Sequence, residues 1–259
     1  MLLEDKVVLI TGVGSGLGRE VALQCAADGA RTVLGARTVS QLEAVAGEVD
    51  PSGDRVAWAR TDITAPEDCA AIVRTARERF GRVDALVQVA AFEFAMGGLW
   101  DSDFDAWRKC YDTNVIGSVQ LVREVATAMK EQGGGSVVFI GSQSSVLPSI
   151  PQAGYGASKG ALNTVMYYLT HELGPFGIRV NTVMPSWMWG PPVQAFVKMT
   201  ARNEGRSEEQ VLADITSKIP LRAIAADEDV AQAVSFFCSE RAKMITGQSL
   251  LVNACEFMP

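Results

Sequence analysis

The chain has 259 residues, 48% of them hydrophobic, and a formal net charge of −7, with a mean hydropathy of +0.13. That length suits one α/β domain with a full core, and no apolar run approaches the roughly 20 residues a transmembrane helix needs. The acidic balance, with no basic cluster, excludes nucleic acid and anionic membrane as partners.

The first predicted strand, residues 6–11, starts too early to leave space for a secretory signal, so a cytoplasmic location is expected. It runs into the turn Thr11-Gly12-Val13-Gly14-Ser15-Gly16-Leu17-Gly18, which opens a predicted helix over 18–28. Strands are then expected at 31–35, 55–59, 84–89, 136–140, 179–183 and 249–252, and helices at 40–49, 66–80, 101–132 and 155–173. Several strands are apolar throughout, as strands buried on both faces should be. Strand followed by helix, repeated, predicts a parallel sheet with helices on both sides and right-handed crossovers. Residues 186–218 differ in composition, carrying Trp187, Trp189, Pro191, Pro192, Phe196 and Met199 before a charged amphipathic stretch. Lying between the last two strands, they are expected to form a substrate-covering subregion of a single domain, 1–259.

Glycines in the first turn permit close approach of backbone to a pyrophosphate, and the helix opening at Leu17 offers unpaired N–H groups and positive potential. The pattern is Thr-Gly-x-x-x-Gly-x-Gly and departs from Gly-x-Gly-x-x-Gly. About 20 residues on, where an NAD-preferring fold places a carboxylate on the ribose, the chain has Gly35-Ala36-Arg37-Thr38. A guanidinium pairs bidentately with a 2′-phosphate and offers nothing equivalent to a bare ribose hydroxyl. NADP is therefore favoured, with NAD the alternative if Arg37 is only a solvated loop residue.

Tyr155 and Lys159 stand four apart in Tyr155-Gly156-Ala157-Ser158-Lys159, with Ser142 thirteen residues upstream. On a helix, positions i and i+4 share a face. An ammonium there favours the phenolate, bringing a group that normally titrates near pH 10 into range for proton transfer. His171, the single histidine, is expected on the surface. A hydrolytic triad would have to use it, yet no Gly-x-Ser-x-Gly elbow precedes a helix. The five scattered cysteines, Cys25, Cys69, Cys110, Cys238 and Cys255, form no Cys-x-x-Cys pair and predict reduced thiols with no metal site.

Through these motifs the chain resembles the short-chain dehydrogenase/reductase family over essentially its full length. The resemblance implies a doubly wound, three-layer Rossmann fold with a seven-stranded parallel sheet, assembled as a homotetramer or dimer. It implies that Tyr155 is the general acid/base, that Lys159 also bonds the nicotinamide ribose, and that Ser142, preferred over Ser144 and Ser145 by spacing, holds the substrate oxygen. Asn114 matches the helix asparagine that holds a water behind the lysine. Asp62 and Ile63 would contact the adenine, and Val89, Ala90 and Ala91 would pass along the cofactor. Two departures stand out: Gln88-Val89-Ala90-Ala91 replaces Asn-Asn-Ala-Gly, and Pro185-Ser186-Trp187-Met188-Trp189-Gly190 replaces a Pro-Gly run followed by threonine. With Gly190 unable to supply that hydroxyl, backbone near Pro185 and Met188 is expected at the nicotinamide.

Phe92, Phe94, Met96, Leu147, Trp187, Trp189, Val193, Phe196 and Met199, with Ser144, fall in loops bordering the expected crevice. Such a wall predicts a hydrophobic alcohol or ketone as substrate. A 3-oxoacyl-thioester reductase is the runner-up, although no basic patch for an acidic carrier protein is visible. A catalytically silent dinucleotide-binding protein is the third reading, against which the intact Asn114, Ser142, Tyr155 and Lys159 count.

Overall fold

The computed structural model describes residues 1–258, with Pro191 described by its backbone alone. Alternate residues of the first strand, β1 (Val7–Thr11), serve two different cores. Val8 and Ile10 join one apolar cluster, and Val7 and Leu9 join another on the opposite face, as a strand period of two requires. Helix α1 (Leu17–Ala27) follows, then β2 (Arg31–Ala36), α2 (Val39–Val49), β3 (Val56–Arg60), α3 (Pro66–Phe80) and β4 (Ala85–Gln88). The second half contains α4 (Phe104–Tyr111), a π-helical segment (Asp112–Gly117), α5 (Ser118–Gln132), β5 (Gly135–Ile140), α6 (Ala153–Leu173) and β6 (Ile178–Pro185). It closes with α7 (Pro191–Glu204), α8 (Glu208–Ser217), α9 (Asp227–Cys238) and β7 (Ser249–Val252).

All seven strands pair in parallel, in the order β3-β2-β1-β4-β5-β6-β7. Val21 of α1, Leu42 of α2 and Val234 of α9 cover one face; Ile72 of α3, Leu121 of α5 and Met166 of α6 cover the other. This is the doubly wound Rossmann arrangement. Its direction reverses between β1 and β4, so a crevice opens beyond their carboxyl ends. Among the described residues no helix is long and apolar enough to cross a membrane.

Three differences from the sequence-based expectation concern helices. The helix predicted over 101–132 is divided by the π-helical segment, whose extra residue per turn turns Asn114 and Ser118 into the interior, where both are buried. Helices α7 and α8 make up the aromatic and amphipathic stretch 186–218, for which no helix was assigned. Helix α9 was not anticipated at all. Its Asp227-Glu228-Asp229 start and its buried Val230, Ala231, Val234, Phe237 and Cys238 carry the helical signature.

Candidate active site

Gly12 follows β1 with φ +77°, and a Cβ there would lie 2.3 Å from the backbone nitrogen of Ala90. Only glycine lets the ends of β1 and β4 meet. The N–H groups of Gly12 and Val13 donate to the Gly35 carbonyl at 2.8 and 3.2 Å, which leaves the rest of the turn to face the crevice. No side chain caps the first turn of α1, so its amides and positive potential are available to an anion. A Cβ at Gly14 would meet only the Gln41 Oε1, at 3.6 Å. Open space and uncapped donors together fit a pyrophosphate, with exposed Ser15 at the tip of the turn.

Arg37 and Thr38 are exposed at the end of β2. Arg31 and Arg60 pair with Asp5 and Asp68, whereas Arg37 joins no ion pair among the described residues and faces the Asp62 charge. Burial works to raise the Asp62 pKa, but hydrogen bonds from Thr64 and the charges of Arg37 and Arg60 outweigh it and hold the carboxyl below its ordinary value. Its Oδ1 accepts from the Thr64 amide at 3.0 Å and the Thr64 hydroxyl at 2.7 Å. Ile63 packs into the core below. This end of the crevice therefore carries an unpaired guanidinium beside a carboxylate already engaged in its own turn.

Gln88, the first departure from the family pattern, is buried and bonded throughout. Its Oε1 accepts from the Thr11 hydroxyl, and its Nε2 donates to the Ala90 carbonyl at 3.2 Å and the Ser118 Oγ at 3.1 Å. Ser118 donates to the Asn114 carbonyl at 2.9 Å, Asn114 Nδ2 donates to Ser158 Oγ at 2.9 Å, and Ser158 donates to the Tyr155 carbonyl at 2.7 Å. A continuous buried polar chain thus joins β1 to the helix bearing Tyr155. Ala91, where the family has glycine, is exposed just beyond β4.

Ser142 starts a single 3₁₀ turn beyond β5, and its Oγ accepts from the Ser144 amide at 3.2 Å and the Ser144 hydroxyl at 2.9 Å. Gly156 allows α6 to reach this turn, since a Cβ there would lie 2.7 Å from the Ser144 carbonyl oxygen. Tyr155 packs against the small apolar cluster of Ala95, Ala106 and Cys110, on which Phe92 and Trp107 also rest. Lys159 is buried, its ammonium 5.6 Å from the Tyr155 ring centroid, and it donates to the Ile140 carbonyl at 2.7 Å.

The electrostatics differ from the sequence-based expectation. Burial, and then the Glu93 carboxylate, push the Tyr155 phenol above its ordinary value, with the Ser142 hydroxyl pulling the other way. Burial lowers Lys159 to about 8, opposed by Glu93 and Cys110. Lys159 therefore does not bring the phenol down here: desolvation dominates both groups. Glu93 was missed from the sequence, although a carboxylate between Phe92 and Phe94 in the loop after a strand is a legible signal.

Among the expected pocket residues, Trp187 and Phe196 stack at 5.3 Å between ring centroids, whereas Trp189 is 41% exposed at the outer edge. Phe92 and Phe94 meet edge to face at 5.9 Å, and Phe94 is exposed. Leu147 is half-buried, and Ser144 lines a cavity of about 280 Å³ with Leu99, Trp107, Ile150 and Gln152. Pro185 ends β6 in the core, and the Met188 carbonyl accepts from the Gly190 N–H at 2.7 Å. Two further polar residues not foreseen from the sequence, Gln143 and Glu256, are hydrogen-bonded beside Trp187.

A family model described as enoyl-(acyl carrier protein) reductase matches residues 12–254. The L-rhamnose 1-dehydrogenase (NAD(P)(+)) of Azotobacter vinelandii is 32% identical, with 100% of this chain and 99% of that protein covered. The 7alpha-hydroxysteroid dehydrogenase of Escherichia coli K12 is 29% identical over 97% of this chain and 94% of its own length. The crystal structure of L-sorbose reductase from Gluconobacter frateurii, complexed with NADPH and L-sorbose, superposes with a TM-score of 0.91 at 28% identity, covering 98% of each chain.

Proposed function

The chain belongs to the short-chain dehydrogenase/reductase family and is an oxidoreductase of alcohol and carbonyl groups; on that premise we propose that it interconverts a hydrophobic ketone and its secondary alcohol, with NADP(H) preferred and Tyr155 as general acid/base. One observation carries this reading: the Ser142 hydroxyl and the Tyr155 phenol converge, with the buried Lys159 ammonium over the ring. Bound along the crevice, the nicotinamide would supply or accept the hydride.

The chain's own residues do the rest. The first turn and the amides of α1 would hold the pyrophosphate, and Arg37 the 2′-phosphate. Ser142 would hold the substrate oxygen against the phenol. Because burial raises the Tyr155 pKa, the phenol keeps its proton at neutral pH and is ready to give it to a carbonyl oxygen. Phe92, Trp107 and the Trp187–Phe196 pair would exclude water and select an apolar substrate. Asn114 braces the Phe92 loop and the Tyr155 helix, and its side chain is committed to those contacts. Exposed Phe104, Tyr111, Tyr167 and Tyr168 on α4 and α6 support assembly as a dimer or tetramer.

A polyhydroxylated substrate is the second reading. It is favoured by Glu93, whose carboxylate lies in the charge field of both Tyr155 and Lys159 and could accept a substrate hydroxyl. A panel of bulky ketones, small ketones, sugars and polyols, run with NADPH, NADH and their oxidised forms, decides between the two. Bulky ketones reduced with NADPH at the highest kcat/KM are the expected result. Best turnover on a polyol would replace the leading reading by the second, and absence of turnover with every pair would remove both.

A further inference from the structure

β5, β6 and β7 lie side by side in the sheet, so the segments leaving their carboxyl ends emerge together at the substrate side of the crevice. Each contributes one polar group to a single cluster. Gln143, 3% exposed, follows Ser142 beyond β5; Trp187 lies two residues past β6; Glu256 lies in the turn after β7. The Trp187 indole N–H donates to Glu256 Oε1 at 3.3 Å, and the Gln143 amide donates to Glu256 Oε2 at 2.8 Å. The other end of the Gln143 amide is fixed, because its Oε1 accepts from Asn253 Nδ2 at 2.6 Å. Two donors therefore converge on Glu256 from the segments that follow β5 and β6, a demand that a carboxylate meets with two acceptor oxygens and an amide meets with only one.

The backbone is built to present this carboxylate. Ala254 and Cys255 both adopt left-handed conformations, with φ 49° and 69°, which cost energy in residues carrying a Cβ and persist only where the surroundings impose them. Here Asn253 imposes them. Its Oδ1 accepts from the Cys255 N–H at 3.0 Å, its Nδ2 donates to the Phe257 carbonyl at 2.9 Å, and its own carbonyl accepts from the Glu256 N–H at 2.9 Å.

We propose that Glu256 is a positioning residue for the substrate pocket: it ties the Trp187 indole to the Ser142 turn and so sets the width of the apolar slot between them. The inference rests on the ketone-reductase reading for its kinetic consequence. Trp187 alone has freedom to rotate away from Phe196; clasped by Glu256, it presents a fixed ring to the substrate. A bulky substrate, which reaches both walls, depends on that fixed ring, and a small one bound at Ser142 and Tyr155 does not. The role concerns the substrate end of the crevice rather than the pyrophosphate, because the glycine turn follows β1 whereas the cluster follows β5, β6 and β7.

Glu256→Gln and Trp187→Phe test the clasp from its two sides, the first removing one acceptor and the second removing the indole donor while keeping a ring. Each is expected to lower kcat/KM for a bulky ketone by about tenfold, mainly through KM, and to lower it clearly less for a small ketone. The double variant should lose no more than the worse single one. Independent, multiplying losses, or equal losses for both ketones, would overturn the proposal. The indole ¹⁵N–¹H resonance of Trp187, identified by its disappearance in Trp187→Phe, provides a readout in the cofactor-free protein. It should move on Glu256→Gln, and an unchanged resonance would sink the clasp. If no ketone were turned over at all, the ketone-reductase reading would fail, while the resonance would still judge whether Glu256 holds Trp187.

Discussion

The Asn114 side chain pairs with the backbone of Phe92 in both directions, accepting its N–H at 2.7 Å and donating to its carbonyl at 2.9 Å. The pairing mimics one rung of a sheet and holds the loop after β4 against the helix that carries Tyr155. Asn114 is fully buried, and its Nδ2 also reaches Ser158 Oγ at 2.9 Å. Removing the amide leaves buried donors and acceptors without partners, each costing about 1 to 3 kcal/mol. Asn114→Ala is therefore expected to lose about 2 to 4 kcal/mol of stability in urea titration, together with most of its activity. A variant with wild-type stability would show that water or a neighbour replaces the amide.

Tyr155→Phe should abolish turnover by several orders of magnitude and leave NADPH affinity nearly unchanged, since only the transferable proton is lost. Lys159→Met should weaken NADPH affinity, the lysine being assigned the nicotinamide ribose, and lower turnover with it. Retention of a tenth of the wild-type rate in Tyr155→Phe, with chemistry limiting, would remove Tyr155 from its role.

Glu93 gives the pH dependence a sign. Its charge raises the pKa of Tyr155, in the same sense as burial, and raises that of Lys159 against burial. Neutralising it in Glu93→Gln lowers both. The alkaline limb of alcohol oxidation, which needs the phenolate, should consequently move to lower pH than in the wild type, and the fall of ketone reduction at alkaline pH should move with it. Profiles of kcat/KM against pH for both directions check this; a shift to higher pH, or none, would place Glu93 outside the electrostatics of the site.

These groups also mark where sequence reasoning stops. Helix α3 was legible to the residue: Pro66 stands in its first turn beside Glu67 and Asp68, Arg77 and Arg79 stand in its last, and Gly81 ends it with φ 80°. All of that information is local. The π-helical segment around Asn114 leaves the apolar spacing almost unchanged, and its cause is a buried polar chain running from Thr11 to Tyr155 that no window of sequence contains. The Tyr155–Lys159 spacing correctly put both groups on one helix face, yet the direction of the phenol's shift depends on burial in the fold and on the Glu93 charge from another element. Glu256 meets Gln143 and Trp187 only because three strand ends converge. The missed α9 is a different matter, since its acidic start and apolar face were there to be read.

Trp189 provides a contrast with Trp187. It is 41% exposed and without an aromatic neighbour among the described residues, so Trp189→Ala is expected to change kcat/KM for bulky and small ketones by less than about threefold. A tenfold loss confined to bulky ketones would show that Trp189 turns inward when substrate binds.

The proposed preference for NADP(H) rests on Arg37. It stands exposed at the end of β2, unpaired among the described residues and beside Asp62, whose carboxylate is already occupied by Thr64. That arrangement leaves the guanidinium available to a 2′-phosphate and leaves no free carboxylate for a bare ribose. A charge-assisted contact of this kind is worth about 1.5 to 3 kcal/mol, and solvent exposure places this one toward the lower end, about a tenfold preference in affinity for NADPH over NADH. Arg37→Asp exchanges the donor for an acceptor that repels phosphate and accepts from ribose hydroxyls, so the preference should collapse or invert. Titration of both reduced cofactors by the fluorescence of the bound nicotinamide measures it without any substrate. Equal affinities in the wild type, unmoved by the substitution, would return Arg37 to the surface loop and leave the enzyme indifferent between the two dinucleotides.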